Sequence, residues 1–399
     1  MKAINYPADF DSVVTAALAH SCFIDSGGNL YGLRDDGATV LVAGPQTGSN
    51  VQFQAAGSGQ QLAWAVTQER FFISFNEGAQ SVHATLPRAG DSGNLSEYHR
   101  SVVAAASPSS AYLVHNTPDA LYCFAVSPEG ASLLAKVERH NGRGAWAEGG
   151  NLYVFGMRTR IHKTGKYLFS KGEWFSLKYG IGTLLRIDLS SKRVHIDLAA
   201  DTKKALVAAW VADAGESEDS YVKPLLEVWL DSFDTGGGRV LIGAVADQRQ
   251  SESDYTFEEP HPLDFDGTAF YRWRDGKIEL LRLLRGLCYV GQMAGPEGVL
   301  LYFIKRADNK SDSFNDLRFA MRVSADMQSP LLPVVFDWVE ENLRTVQFEP
   351  SHVDRIGAIA AVTTQVRNTP IPYRRHLAMS DDGIVWRFAH QLPDQRKQE

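Results

Sequence analysis

Cysteine is nearly absent: Cys22, Cys123 and Cys288 are the only three in 399 residues. No two form a CxxC pair, which excludes a zinc knuckle and a disulfide framework. An odd, scattered set fits a reducing compartment, each thiol serving as a small apolar core residue. No stretch approaches the ~20 apolar residues that a membrane-crossing helix needs. The opening residues, Met1-Lys2-Ala3-Ile4-Asn5-Tyr6-Pro7 followed by Asp9 and Asp11, break the apolar core that a secretory signal requires. The expected location is the cytoplasm, with no membrane partner.

Local catalytic signatures are missing as well. There is no GxGxxG opening a helix, no GxxxxGK[ST] loop, no HExxH and no GxSxG elbow. The 11 histidines are dispersed and none pairs at metal-ligand spacing, so neither a metal nor a cofactor is expected. A net charge of −7 and a pI near 5.9 argue against a nucleic-acid partner for the surface as a whole. No linker of Pro, Gly or Ser separates two halves, and residues 1–399 are expected to form one domain. Disorder is excluded by 44% hydrophobic and 11% aromatic residues against 22% charged.

What is present is a recurring small unit. A run of Ala, Gly and β-branched or aromatic residues leads to a tight turn, a second strand rich in aromatics, a Gly-containing turn and a third strand. Ala19–Ile24 precedes Asp25-Ser26-Gly27-Gly28, then Asn29-Leu30-Tyr31-Gly32-Leu33, then Asp35-Asp36-Gly37 and Thr39–Val42. The order recurs from Leu62, from Ala111 and from Gly144, where Gly150-Asn151-Leu152-Tyr153 repeats Gly28-Asn29-Leu30-Tyr31 residue for residue. Looser copies start near Ala205, Gly286 and Arg355.

Glycine supplies positive φ, and Asp-Gly or Asn-Gly turns match the twist of paired strands, so a turn every 8–12 residues reads as antiparallel hairpins. No window carries a clean helical stripe with both caps; residues 201–210 and 333–344 come closest. Units of roughly 40–60 residues are the period of propeller blades. Each blade exposes two apolar faces that only its neighbours cover, which explains near-continuous apolar strands. In this rhythm the chain resembles the β-propeller superfamily over nearly its whole length. The resemblance implies an all-β fold, a single propeller of about seven blades, with six to eight compatible. Residues before Val13 are expected to add a strand to the last blade. Ser380-Asp381-Asp382-Gly383-Ile384-Val385-Trp386 looks like the Asp-box of sialidase-type propellers, though it lacks a residue between Asp and Gly; an Asp-Gly turn with a core Trp explains it otherwise.

Two insertions interrupt the rhythm. Residues 157–179 carry Arg158, Arg160, Lys163, Lys166, Lys171 and Lys178 against Glu173, a net +5, interleaved with Tyr167, Phe169, Trp174, Phe175 and Tyr179. Cations with aromatic anchors suit an acidic protein partner, with Trp174 as anchor and Arg158, Arg160, Lys163 and Lys166 as steering charge. A long hairpin with a solvated face, turning at Thr164-Gly165-Lys166, is the plainer reading. Residues 247–266 have a net −6 and lack the alternating ligands of a calcium loop. These features predict a non-catalytic protein-binding module, with a toxin-blocking immunity protein as one concrete form. The alternative is a propeller-type hydrolase or lyase with polar residues from several blades gathered at the channel mouth, a constellation that no local motif reveals.

Overall fold

The computed structural model describes the strands between Phe10 and Gln391. Side chains are described over residues 110–156, 183–195, 204–213, 229–246, 265–305, 317–339 and 343–389, apart from short gaps.

Nearly every element is a strand, and the strands group by four. The first blade holds β1 (Phe10–Thr15), β2 (Ser21–Asp25), β3 (Leu30–Leu33) and β4 (Thr39–Ala43). The second holds β5 (Gln52–Ala56), β6 (Leu62–Val66), β7 (Arg70–Phe75) and β8 (Gln80–Thr85). In the third are β9 (Ser101–Ser107), β10 (Ser110–Asn116), β11 (Ala120–Ser127) and β12 (Gly130–Glu138). The fourth comprises β13 (His140–Glu148), β14 (Asn151–Lys163), β15 (Ser176–Asp188) and β16 (Val194–Asp197). A helix, α1 (Ala200–Ala214), precedes the fifth: β17 (Leu225–Asp234), β18 (Arg239–Asp247), β19 (Gly267–Arg274) and β20 (Lys277–Arg285). The sixth is β21 (Leu287–Gly295), β22 (Gly298–Lys305), β23 (Arg318–Arg322) and β24 (Leu331–Pro333). After the short β25 (Val335–Phe336), the seventh is β26 (Leu343–Val353), β27 (Gly357–Val366), β28 (Arg374–Ser380) and β29 (Val385–Gln391).

Each group is an antiparallel meander in chain order. One parallel pair, Ile181 with Glu227, links the fourth to the fifth. The first strands of successive blades touch one another: β1 and β5, β5 and β9, β9 and β13, β13 and β17, β21 and β26, and β26 back to β1. Side-chain hydrogen bonds link β17 to β21. The chain is a β-propeller, and these first strands are its inner ring.

The core lies between blades. One layer joins Val114 and Leu121 of the third blade to Leu152, Val154 and Leu185 of the fourth. The next packs Trp146, Tyr153 and Phe155 against Trp229, Tyr271 and Trp273, with Leu206 and Trp210 of α1 added. Phe233, Ile242 and Phe270 meet Leu301, Phe303 and Met321 of the sixth. Met293, Leu300 and Tyr302 meet Phe348, Ala360 and Trp386 of the seventh. Both faces of a strand are therefore apolar, as the continuous runs predict.

Several details depart from expectation. Residues 10–15 pair with β2 inside the first blade and pack against β26 and β27, so among the described residues no strand is lent to the last blade; residues 1–9 lie outside them. The unit placed at Ala205 is a helix, and residues 333–344 hold β25 and turns. The chain reaches the seventh blade from outside: β25 runs parallel to β29 at its outer edge, with Val335 opposite Val385 and Phe336 opposite Trp386. The segment from Ser380 to Trp386 is a β28–β29 turn. Asp382 Oδ1 accepts from the Ile384 and Val385 amides, Gly383 takes a φ of 76°, and Trp386 is fully buried. The Asp-Gly turn with a core Trp is what forms.

An inner strand pairs on one side only, so its other edge bears unsatisfied backbone groups. Side chains of the preceding blade meet them. Asn116 donates from Nδ2 to the Gly142 carbonyl and accepts the Gly142 amide, both at 2.8 Å. Thr268 donates to the Leu287 carbonyl and accepts the Tyr289 amide. Arg318 donates to the Thr345 carbonyl at 2.7 Å. Asn116 is fully buried and both its bonds are made to backbone, so Asn116→Leu should cost about 2–4 kcal/mol, from two lost bonds and two orphaned groups. Urea denaturation measures it; a change below about 0.5 kcal/mol would show that the edge finds other partners.

Candidate functional site

The inner strands bulge. One extra residue is inserted at Asp11 in β1, Ala106 in β9, Arg143 in β13, Leu230 in β17, Val290 in β21 and Val346 in β26, and β5 alone runs regularly. A bulge sharpens local twist and re-aims the side chains beside it, and such positions recur near active sites. Here they set polar residues among apolar ones: Arg143 at the fourth blade's bulge, Asp231 after the fifth, Gln292 after the sixth and Glu349 after the seventh.

Asp231 is the best-defined member. It is half-buried at the fifth bulge, and the Tyr289 hydroxyl of the next blade donates to its Oδ2 at 2.5 Å. Gln292 Nε2 donates to Oδ1 at 3.0 Å, and the Ser232 amide donates to the same oxygen at 2.8 Å. Gln292 also donates to the Ser232 carbonyl at 3.4 Å, which fixes its amide orientation, since both neighbours are acceptors. Its Oε1 is buried with no hydrogen-bond partner. Complete burial, with the Asp231 charge and hydrogen bond added, pushes the Tyr289 phenol well above its usual range. Tyr289 is thus a permanent donor, and it holds the carboxylate in one geometry.

Other reactive side chains do other work. Cys123 is buried and its thiol is pushed up to about 12, too high for a thiolate nucleophile at neutral pH. Cys288 donates to the Phe265 carbonyl. His376 sits on β28, in the third position of its blade, with Thr364 on its Nε2 and the Trp338 and Phe388 rings beside it. Burial and the neighbouring Arg374 charge lower its pKa. Among the described residues no group of three or more His, Cys, Asp or Glu could hold a metal ion.

The meander sends alternate connections to opposite ends of the ring. Turns from the first to the second strand are short, as at residues 149–150 and 296–297. The long connections, 86–100, 164–175, 198–224, 248–266 and 306–317, all leave from the other end, where the inner strands begin. The bulges of the fourth to seventh blades lie in the first half or near the middle of their strands. One end of the ring thus takes the long connections, while Arg143 lies just before the middle of its strand and Asp231, Gln292 and Glu349 lie just past the middle of theirs.

The predicted partner-binding residues fall at that end. Arg158, Arg160 and Lys163 lie on β14 where it continues with β15 beyond the blade as a hairpin, the plainer of the two readings of this insertion. The turn expected at Thr164-Gly165-Lys166 lies outside the described residues. Lys166 and Trp174 lie outside the described residues, as do residues 248–264 of the acidic insertion. Sequence reasoning missed Asp231, Tyr289 and Gln292. The available signal was one carboxylate inside the apolar run Val228-Trp229-Leu230-Asp231-Ser232-Phe233.

No family profile matches the chain, and no curated sequence matches it. Similar solved structures exist. An oligogalacturonate lyase from Vibrio parahaemolyticus shares 8% identity over 90% of this chain and 88% of its own, with a TM-score of 0.45. A prolyl endopeptidase shares 8% identity over 96% of this chain and 49% of its own, with a TM-score of 0.49. The acylaminoacyl peptidase of Pyrococcus horikoshii shares 10% over 86% and 46%, with a TM-score of 0.43. The chain spans about half the length of the two peptidases. These structures are enzymes, and the expectation of a non-catalytic binding module or immunity protein is corrected accordingly. At such identities and scores the similar structures assign no reaction, which has to be argued from this chain's own residues.

Tyr289 offers a direct test of the Asp231 network. Its folded pKa is raised, so the folded state keeps a proton that the unfolded state releases above about pH 10. Its contribution is full below that pH and is lost as pH rises, by up to about 1.4 kcal/mol per unit. Tyr289→Phe should cost about 1–3 kcal/mol at pH 8 and flatten the decline between pH 9 and 11. Parallel urea titrations of the two proteins would show it; equal alkaline slopes would mean that the phenol ionises freely.

Proposed function

We propose that the protein is a propeller-type hydrolase or lyase whose site is centred on Asp231, near the middle of the inner strand β17. The observation that carries this reading is the half-buried carboxylate, on an inner strand, held by two side-chain donors from the next blade and by the Ser232 amide of its own strand. Ring closure alone does not require it. The fifth and sixth blades are already joined by an apolar layer, and a carboxylate withdrawn from water is costly unless donors surround it. A fixed carboxylate suits both reaction types. In hydrolysis it orients a water and takes its proton; in elimination it takes a proton from the substrate. Arg143, one blade away at the same bulge level, supplies positive charge for a developing anion.

The test is a panel of ester, amide, glycoside and uronate substrates assayed with wild type and Asp231→Asn. At least one class should be turned over, and the substitution should lower that rate by about 10²–10⁴-fold while near-UV circular dichroism is kept. Turnover unchanged in Asp231→Asn, or turnover of no class, rejects the reading.

A further inference from the structure

Gly291 stands in the middle of β21, immediately after the Val290 bulge. The residues that flank this pair, Tyr289 and Gln292, reach back to Asp231 of the fifth blade. Gly291 itself lies opposite Tyr302 in register, and Tyr302 belongs to the apolar layer between the sixth and seventh blades, against which Val290 also packs. Residues opposite one another in register share a face, so Gly291 looks toward the seventh blade. It is half-buried while Cys288, Tyr289, Gln292 and Met293 around it are buried, so its exposure comes from the channel that the inner strands enclose.

Nothing inside the chain explains a glycine here. Its φ lies outside the left-handed region, and apart from its chain neighbours no heavy atom comes within 4 Å of where its Cβ would stand. The bulge does not require it either: Asp231 holds the corresponding position in β17, after the Leu230 bulge. Glycines in other strands are needed for packing. A Cβ at Gly142 would meet Leu121 and Val114 at 2.7 Å, one at Gly267 the Leu284 carbonyl at 2.8 Å, and one at Gly144 would enter the Phe155 ring. A glycine inside a strand that no contact or φ demands marks a place that something outside the chain approaches closely.

Resting on the hydrolase-or-lyase reading, we infer that Gly291 is a specificity-determining position: the open space over it takes an uncharged, apolar group of the substrate, one strand away from the bond on which Asp231 acts. The group is apolar because the space borders Val290 and the layer of Met293, Tyr302 and Phe348, where a charge would lose water without gaining a partner. Glu349, next to Phe348 on β26, alternates to the opposite face of that strand.

The test uses Gly291→Ala, Gly291→Leu and Gly291→Cys with the substrate class that the panel identifies. Within that class the group next to the reacting bond is varied from methyl to isobutyl to benzyl, with a carboxymethyl member as the charged control. Wild type should prefer the larger apolar groups. Gly291→Leu should lower kcat/KM for these at least ~10-fold and leave the methyl member within about twofold, with Gly291→Ala between, since a single methylene in an apolar pocket is worth roughly 10–200-fold. An equal loss across the series, no loss at all, or preference for the carboxymethyl member overturns the inference. Gly291→Cys gives a readout independent of turnover. In the folded protein its new thiol should react with a small methanethiosulfonate faster than any thiol of wild type, whose Cys123 and Cys288 are buried. A rate no faster than wild type means that the space is closed, and the inference fails. If Gly291→Leu does not fold, benzyl modification of the thiol in folded Gly291→Cys takes its place. Turnover that needs Asp231 but ignores Gly291 removes the inference and keeps the enzymatic reading. Turnover of no class removes both.

Discussion

The inner strands crowd one axis, and each is laddered along one side, with β17 alone adding a single parallel pair on the other among the described strands. The backbone groups on the free edge have no sheet to satisfy them, and water reaches a packed ring poorly. Asn116, Thr268 and Arg318 supply the missing partners, each from the blade before. At these three boundaries one polar residue therefore does two jobs. It removes the cost of an orphaned amide or carbonyl, and it sets the distance between neighbouring blades. The apolar layers between blades are non-directional and could slide; these bonds fix the register in which they pack.

Asp231 and Tyr289 occupy the boundary between the fifth and sixth blades, where Thr268 already holds the backbone. The second set of bonds adds a charged group to a joint that is otherwise complete. That redundancy is why the carboxylate reads as functional. The inner-strand bulges make such residues possible: an unpaired residue turns the strand enough to set Asp231 next to Gln292 instead of burying it in an apolar layer.

The fold was legible because its signals are local. Gly150-Asn151 sits at a β13–β14 turn in which Gly149 and Gly150 both take positive φ, and runs such as Leu300–Ile304 are apolar on both faces because two blades cover them. The site was not legible, since Asp231 and Gln292 lie 61 residues apart and meet only when the ring closes. Asn116 reads as a turn residue in sequence, and nothing in its neighbours announces that it serves Gly142. The cationic insertion was visible from charge alone. Its place beside β17 follows from a single parallel pair that no composition predicts. The helix at residues 200–214 was half-anticipated, since Leu206, Trp210 and Val211 are buried against the ring while Lys204 and Asp213 stay outside.

The short β25 has a consequence for how the chain can be made. It lies against β29, yet in order of synthesis all of β26, β27 and β28 come between them. On a ribosome β25 is finished while its partner is still unwritten, and the faces of the sixth blade that await the seventh stay wet. Val335 and Phe336 can take their places only after β29 has cleared the exit tunnel. Until then the nascent ring is an open arc with apolar faces at both ends. Slow translation through residues 335–391 would prolong that state, so synonymous codon changes in this stretch should alter the yield of folded protein while leaving the finished molecule the same.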